Sequence, residues 1–343
     1  MYVYSLKSDM KHIQQYFYKI FIGLFVLSLL LACNNAAESP YSSIIFQPQH
    51  TMSLQGRSSA VGFAIDGKGY VALGRTGSRS GALKDCWEYN PDSDKWTQKR
   101  NFPGVARVKA TAVVLNGLAY VGLGFDINYG YFGEKGHPKD FWCFDPKANT
   151  WTQKADFPSN YTDACVSFAY KNNIYLGSGF DGGGWTPEFW KYNPINNTWI
   201  KLNNFPGQAR VGALCCTNGE HVYFGTGYCT FSLNDWWEYF PDNDSWKQLK
   251  EMPDKGRENG VSLCINNRYF ASTGRYFHGM LTGGNIKSDV LEYNPGLNVW
   301  YERGNIPGGN RENAVSFTIN GKGYIGFGEN DSTVLNDFWS FEP

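Results

Sequence analysis

Residues 140–154 read DFWCFDPKANTWTQK, and the pattern of this stretch recurs along the chain. A short aromatic run is stopped by a proline, here Pro146, and a tryptophan, here Trp151, follows five residues later. The pair occurs five times, with gaps of 55, 48, 47 and 54 residues between successive tryptophans. The tryptophans are Trp96, Trp151, Trp199, Trp246 and Trp300. Self-similarity at about 50 residues is typical of an array of equal structural units.

The second unit shows what each repeat forms. An apolar strand over Ala110–Leu115 meets Asn116-Gly117, a pair that favours a two-residue hairpin turn. A partner strand over Ala119–Gly124 follows, then a long loop, a third strand over residues 140–145 and a fourth over 151–154. The unit is therefore predicted to be a four-stranded antiparallel meander, the size of one β-propeller blade.

Three further positions repeat in six units. A glycine closes the second strand, an acidic residue begins the third, and an aromatic residue stands two positions before the proline. The glycines are Gly74, Gly124, Gly179, Gly227, Gly274 and Gly328, and the acids are Asp85, Asp140, Glu188, Asp235, Asp289 and Asp337. On these features residues 44–343 resemble kelch repeats, although the double glycine of that family is mostly Gly-x-Gly here. The resemblance implies a kelch-type β-propeller.

The sixth unit ends after its third strand, because Pro343 is the last residue. A spare strand at Ile44–Phe46 precedes the first full unit, and we expect it to complete the sixth blade. Such closure removes exposed sheet edges. The predicted fold class is all-β: a six-bladed propeller with four antiparallel strands in each blade, 24 in total.

The N-terminal segment resembles a bacterial lipoprotein signal. Lysines precede an apolar run over Ile20–Ala32, which is short for a membrane span, and Cys33 follows the small Ala32. The resemblance implies a signal peptide over 1–32, lipidation of Cys33, a tether over 33–43 and a propeller over 44–343. We expect a protein lipid-anchored in the bacterial cell envelope, facing the periplasm or surface at the outer membrane. An ordinary signal peptide with a chance cysteine is the alternative.

Charge and cysteine content restrict the function. Lys plus Arg and Asp plus Glu both number 31, so the net charge is zero and argues against a general nucleic-acid binder. Seven cysteines follow Cys33, an odd number, and several occupy strand positions, which favours small buried side chains over a disulfide framework. No Cys/His spacing indicates zinc, and we expect no metal or other cofactor.

The loop between the second and third strands is longest in blades two and five, which stand opposite each other in a six-bladed ring. These loops are rich in aromatic and hydrogen-bonding side chains, which suit a sugar. The candidate ligand-binding residues are Tyr129, Tyr131, His137, Tyr276 and His278. Alternatively, these side chains only pack the long loops onto the blades.

An arginine stands 17 residues before the closing glycine in five blades, and Thr162 replaces it in the third. The arginines are Arg57, Arg107, Arg210, Arg257 and Arg311. By resemblance to kelch propellers, they are expected to converge at the axial opening, where guanidinium groups can bind carboxylates or phosphates. The structural alternative is that each arginine bonds loop carbonyls or the acid that begins strand three.

Three functions remain open. The first is an envelope-anchored, non-catalytic propeller that binds a glycan or protein ligand on the face of the two long loops. The second, by fold-level resemblance to six-bladed kelch mutarotases acting on sialic acid, is anomer exchange with Glu258 or Glu312 as acid or base and Arg257 as the anion clamp. The third is a structural interaction module. A copper site of the galactose-oxidase type is not expected, because no copper motif accompanies the histidines.

Overall fold

The computed structural model of the chain describes residues 42–52, 56–77, 81–129, 136–159, 162–279 and 284–343. Within these ranges the sheets are six four-stranded antiparallel sheets and one two-stranded sheet, so the predicted six-bladed propeller is confirmed. The predicted signal peptide, Cys33 and the tether up to residue 41 lie outside the described residues. In the described part of the chain, no helix is long and apolar enough to cross a membrane.

Each blade contains four sequential strands, except the sixth, which takes its outer strand from the N-terminal side of the propeller. Blades one and two contain β2 (Val61–Ile65), β3 (Lys68–Ala72), β4 (Cys86–Asn90), β5 (Lys95–Lys99), β6 (Thr111–Leu115), β7 (Leu118–Gly122), β8 (Phe141–Asp145) and β9 (Thr150–Lys154). Blades three and four contain β10 (Val166–Tyr170), β11 (Asn173–Gly177), β12 (Phe189–Asn193), β13 (Thr198–Lys201), β14 (Leu214–Thr217), β15 (Val222–Gly225), β16 (Trp236–Phe240) and β17 (Ser245–Gln248). Blade five contains β18 (Val261–Ile265), β19 (Arg268–Ser272), β22 (Asp289–Asn294) and β23 (Val299–Asn305), and blade six contains β24 (Val315–Ile319), β25 (Lys322–Gly326), β26 (Phe338–Phe341) and β1 (Phe46–Pro48).

The first strands of neighbouring blades contact one another around the axis. In β2 the side chains of Val61, Phe63 and Ile65 are buried between blades, while the alternate positions face the central opening. Those axial positions hold small or hydroxyl-bearing residues in every blade, such as Gly62 and Ser167. Small residues at these positions let six strands approach a narrow axis.

The glycine that closes strand two lies where the backbone of one blade contacts the backbone of the next. Gly124 has a φ of +93°, and its N–H donates to the carbonyl of Thr162 in the next blade at 3.0 Å. A Cβ at this position would lie 2.6 Å from the carbonyl oxygen of Val108. The equivalent N–H of each other blade also donates to the following blade. The repeated glycine therefore serves the scaffold.

The repeated tryptophan also joins blades. The indole N–H of Trp151 donates to the carbonyl of Arg100 in the preceding connection at 2.9 Å, and Trp199 bonds Ala155 in the same way at 3.0 Å. The turn before each tryptophan adds a second link, since Asn149 accepts from the backbone N–H of Arg100 at 2.9 Å. These contacts explain the fixed Pro–Trp spacing without invoking a ligand.

The ring closes with an N-terminal strand, as predicted, but its bounds differ. The strand that pairs with β26 is β1, with Phe46 opposite Phe341 and Pro48 opposite Trp339. Ile44 instead donates its backbone N–H to the carbonyl of Arg303 in blade five at 2.9 Å. The expected strand over 44–46 was therefore two residues too early, because the segment first docks on the neighbouring blade.

Blade five carries an additional element. The hairpin of β20 (Arg275–Tyr276) and β21 (Asn285–Ile286) lies within its long loop, so the described part of the chain contains 26 strands rather than the 24 expected. All seven described cysteines are free thiols, four of them buried. This agrees with their interpretation as small core or strand residues.

Candidate functional site

A closed ring of backbone hydrogen bonds encircles one end of the axis. One residue from each blade donates its N–H to the carbonyl of the equivalent residue in the preceding blade, at 2.8–3.1 Å. Each of the six has a positive φ, between 47° and 63°. The ring is formed by Ser59, Lys109, Ala164, Gly212, Asn259 and Asn313. We call the end of the opening bounded by this ring the axial mouth; beneath it the ring residues line a cavity of about 150 Å³.

A second tier of residues forms the rim of the axial mouth. In every blade the residue before the ring position makes a β-bridge with the residue that follows the closing glycine. The six bridges are Ser58–Arg75, Val108–Phe125, Asp163–Phe180, Val211–Tyr228, Glu258–Arg275 and Glu312–Glu329. The rim backbone is thus the same in all blades, whereas its side chains differ from blade to blade. The rim side chains are therefore the part of the repeat that is free to serve a ligand rather than the scaffold.

Blades five, six and one supply a charged arc, which we define as Ser58, Arg75, Glu258, Arg275, Glu312 and Glu329. Glu329 accepts hydrogen bonds from the Ser58 hydroxyl at 2.7 Å and the Asn313 amide at 3.0 Å, and it forms an ion pair with Arg75. Glu312 accepts from Nε of Arg275 at 2.7 Å. Three carboxylates and two guanidinium groups therefore share this side of the axial mouth.

Glu258 has the least compensated carboxylate of the charged arc. It is 8% exposed and forms no ion pair with a described residue. Burial, together with the charge of Glu312, raises the pKa of Glu258 to about 7, against the opposing effects of Lys109, Arg275 and the Asn259 side chain. Burial and the charge of Glu329 also raise the pKa of Glu312. Glu258 is consequently able to exchange a proton near neutral pH.

Blades three, four and five supply an aromatic arc, which we define as Trp185, Tyr228 and Phe277. Tyr228 lies between the other two, with ring centroids 6.0 Å from Trp185 and 5.6 Å from Phe277, both edge-on. All three side chains are partly exposed. The axial mouth therefore has a charged side and an aromatic side.

The five repeated arginines are scaffold residues in the structure. Arg107 is buried and binds Asp140 through two parallel hydrogen bonds, of 2.6 Å and 3.0 Å, and it also donates to the carbonyl of Leu123 at 3.1 Å. The other four make the same contacts with the acid that begins their own third strand. They are Arg57, Arg210, Arg257 and Arg311, each at most 3% exposed.

The guanidinium groups therefore do not converge on the axis, although the resemblance to kelch propellers had led us to expect it. Each pairs with an aspartate, which was the structural alternative. The terminal nitrogens of each guanidinium group bind a carboxylate, and none of the five arginines lines the axial cavities. Arg257, proposed as the anion clamp of a mutarotase, is held by both Asp254 and Asp289. We accordingly leave the five arginines out of the candidate ligand site.

The two long loops contribute unequally. His137 is not an exposed ligand-binding group: it is 2% exposed and lies 3.3 Å from the buried carboxylate of Asp163, with Phe125 and Phe180 beside its ring. One carboxylate oxygen of Asp163 has no hydrogen-bond partner among the described residues. This part of the blade-two loop thus packs onto the blades, as the structural alternative held.

The remaining loop candidates are at the surface. Tyr129 is 50% exposed, and the Tyr276 hydroxyl lies 3.1 Å from Nδ1 of the exposed His278. Tyr131 lies outside the described residues. Trp185, Tyr228 and the Arg75, Lys109 and Glu329 side chains were missed in the sequence. The signal that could have found most of them is the single position after the closing glycine, which changes character between blades.

The chain is a six-bladed β-propeller with a polarised axial mouth. No family model matches it, and no curated protein matches it. Among solved structures, 926 chains match, and one of them is the structure of the protein YjhT. That structure superposes with a TM-score of 0.73 at 17% sequence identity, over 84% of this chain and 95% of the other. At this identity the likeness shows the fold alone, and membership of the kelch family stays a prediction.

Proposed function

We propose that this propeller binds a carbohydrate in the axial mouth. The observation that carries the proposal is that the residues at and beside the rim form a charged arc in blades five, six and one and an aromatic arc in blades three, four and five. A sugar ring presents an apolar face that stacks on aromatic side chains and hydroxyl groups that bond carboxylates and guanidinium groups. The Tyr228 ring and the Glu312–Arg275 pair are the groups suited to these two tasks.

The dimensions of the axial mouth favour a small ligand over a folded protein. The cavity beneath the ring is about 150 Å³ and continues into a second one of about 250 Å³ between the first strands. A stable protein partner would instead need about 800 Å² of surface on each side. Binding of a glycan is compatible with the first hypothesis from the sequence, and it needs no catalysis.

Anchoring in the envelope is part of the same proposal. The sequence predicts lipidation of Cys33, which would hold the protein at the membrane.

The binding proposal is tested on a glycan array, followed by titration calorimetry with the best ligand. Replacing Tyr228 with alanine is expected to weaken binding about tenfold, or about 1.4 kcal/mol, because the stacking surface is lost. The matched control is Tyr170→Ala at the opposite end of blade three, where affinity should not change. Absence of any array ligand, or equal loss in both variants, would reject the carbohydrate site.

A second candidate function, anomer exchange of a sugar, is favoured by one observation. Glu258 lies in the rim of the axial mouth with a pKa of about 7, so it can both accept and donate a proton at neutral pH. Mutarotation needs an acid and a base near the ring oxygen and the anomeric hydroxyl, with no covalent intermediate. In this candidate, Glu258 serves as one of them, and Glu312 or Lys109 serves as the other.

The catalytic candidate is tested by NMR exchange spectroscopy on N-acetylneuraminic acid, the substrate class suggested by the sequence. Wild-type protein should speed anomer exchange, and Glu258→Gln should lower the rate at least 100-fold, in line with a lost general acid or base. Glu238→Gln is the control, since Glu238 bonds His221 elsewhere in blade four. Exchange that stays at the spontaneous rate with wild-type protein would remove this candidate for the sugar tested.

A further inference from the structure

We infer that the carbohydrate ligand is longer than one sugar unit and extends from the axial mouth into a lateral cavity between blades five and six. This inference rests on the proposed function. The lateral cavity, which has a volume of about 690 Å³, is bounded by the β20–β21 hairpin, the segment before blade six and the blade-six loop. That volume lies within the usual range of small-molecule sites. Its lining includes Asn285, Ile286, Asn310, Asp331 and Ser332.

The chemistry of the lining matches sugar hydroxyl groups. The Asn285 and Asn310 side chains are exposed and form no hydrogen bond with any described residue. Each offers an amide donor and a carbonyl acceptor, the combination that a hydroxyl can satisfy in both directions. Asp331 uses one oxygen for Arg275 and is 76% exposed, which leaves the other oxygen open as an acceptor. Ile286 supplies an apolar contact.

Arg275 connects the lateral cavity to the axial mouth. Its Nε donates to Glu312 in the charged arc at 2.7 Å. Its terminal nitrogens donate to the carbonyl of Gly284 at 3.2 Å and to Asp331 at 2.7 Å, both of which line the lateral cavity. One planar guanidinium group therefore bonds residues of both sites. A ligand bound at Glu312 and continuing outward on this side would pass close to this group.

The walls of the lateral cavity are ordered by backbone contacts. Arg275 pairs with Ile286 and Tyr276 with Asn285 across the hairpin, and a Cβ on Gly284 would lie 2.0 Å from the carbonyl oxygen of Tyr276. On the other wall, Glu329 bridges both Glu312 and Val334. A site formed before the ligand arrives loses less entropy on binding. The lateral cavity thus has the properties of a second subsite.

The experiment compares matched pairs of ligands by calorimetry: N-acetylglucosamine with chitotetraose, mannose with mannotetraose, and N-acetylneuraminic acid with its dimer. We expect one pair in which the longer ligand binds at least tenfold more tightly. Asn310→Ala should reduce that gain at least threefold without changing the Kd of the monosaccharide. The control is Asn196→Ala, an exposed asparagine in a turn of blade three, which should change neither value.

The outcomes separate the two proposals. If both members of every binding pair have the same Kd in the wild type, or if Asn310→Ala keeps the full gain, the lateral subsite is rejected while the axial mouth stands. If Tyr228→Ala weakens neither member of a pair that binds, the axial site is rejected. If none of the six ligands binds, the subsite inference fails for these probes, and the array result decides the carbohydrate proposal separately.

Discussion

Replacing Arg107 with alanine is expected to lower the free energy of unfolding by about 3–5 kcal/mol, because Asp140 would lose its ion partner in a mostly buried place. The Arg107 side chain is fully buried, and Asp140 is 20% exposed. The change also removes the hydrogen bond to Leu123 and the guanidinium contact with the Phe102 ring, which lies 4.8 Å away. Urea denaturation with linear extrapolation measures the loss.

Two comparisons make this prediction specific to the buried pair. Arg100→Ala alters an exposed arginine of the same region, and it should change stability by no more than about 0.5 kcal/mol. The double variant Arg107→Met with Asp140→Leu should recover much of the loss, since no unpaired charge remains buried. If Arg107→Ala instead kept full stability and abolished ligand binding, the converging-arginine hypothesis would return.

The arginine result shows why repetition in a sequence indicates scaffold. An arginine and an acid recur at fixed positions in five blades, and one pairing geometry satisfies all five. Blade three supports this interpretation, because Thr162 replaces the arginine and the acid Glu188 bonds Ser159 and Lys201 instead. The sequence alone predicted both alternatives but could not decide between them, since the guanidinium direction depends on how the preceding loop turns.

The blades themselves could be predicted because each depends on local signals. Turn residues, strand alternation and the Pro–Trp spacing all lie within one unit, so blade number and strand order follow from the repeat. The bounds of β1 could not be obtained this way. They depend on the contact of Ile44 with Arg303, which is 259 residues distant in the sequence.

The candidate site was predicted only in part for a related reason. Glu258 and Glu312 were found because they follow the repeated arginines, but Tyr228 and Arg75 follow the closing glycine and were overlooked. His137 illustrates the opposite error: a histidine in a long loop suggests a ligand contact, whereas here Asp163 from the next blade draws it into the interior. Whether a loop side chain is buried depends on neighbours that the repeat does not encode.

Glu258→Gln is expected to stabilise the fold by about 3 kcal/mol at pH 8 and to have little effect at pH 4. The carboxyl has an ordinary pKa of 4.5 when the chain is unfolded and about 7 in the folded protein. Because the folded pKa is the higher one, folding binds a proton between these values, and stability falls as pH rises from 4.5 to 7. At about 1.4 kcal/mol per pH unit, the loss is nearly complete above pH 7.

The groups that face Glu258 decide how large this effect is. Lys109 and Arg275 favour its charged form, Glu312 opposes it, and burial outweighs both cations. Glutamine imitates the protonated acid, so unfolding curves measured from pH 4 to pH 8 should lose most of their decline in the variant. Glu329→Gln is the matched control, and it should destabilise the fold, since that carboxylate accepts from Ser58 and Asn313 and pairs with Arg75.

Parallel pH curves for wild type and Glu258→Gln would mean that the buried carboxyl titrates normally, and the acid–base candidate would lose its physical basis. If Glu258→Gln is more stable than wild type at high pH and also loses anomer exchange, the Glu258 carboxylate lowers the stability of the fold and is needed for proton transfer.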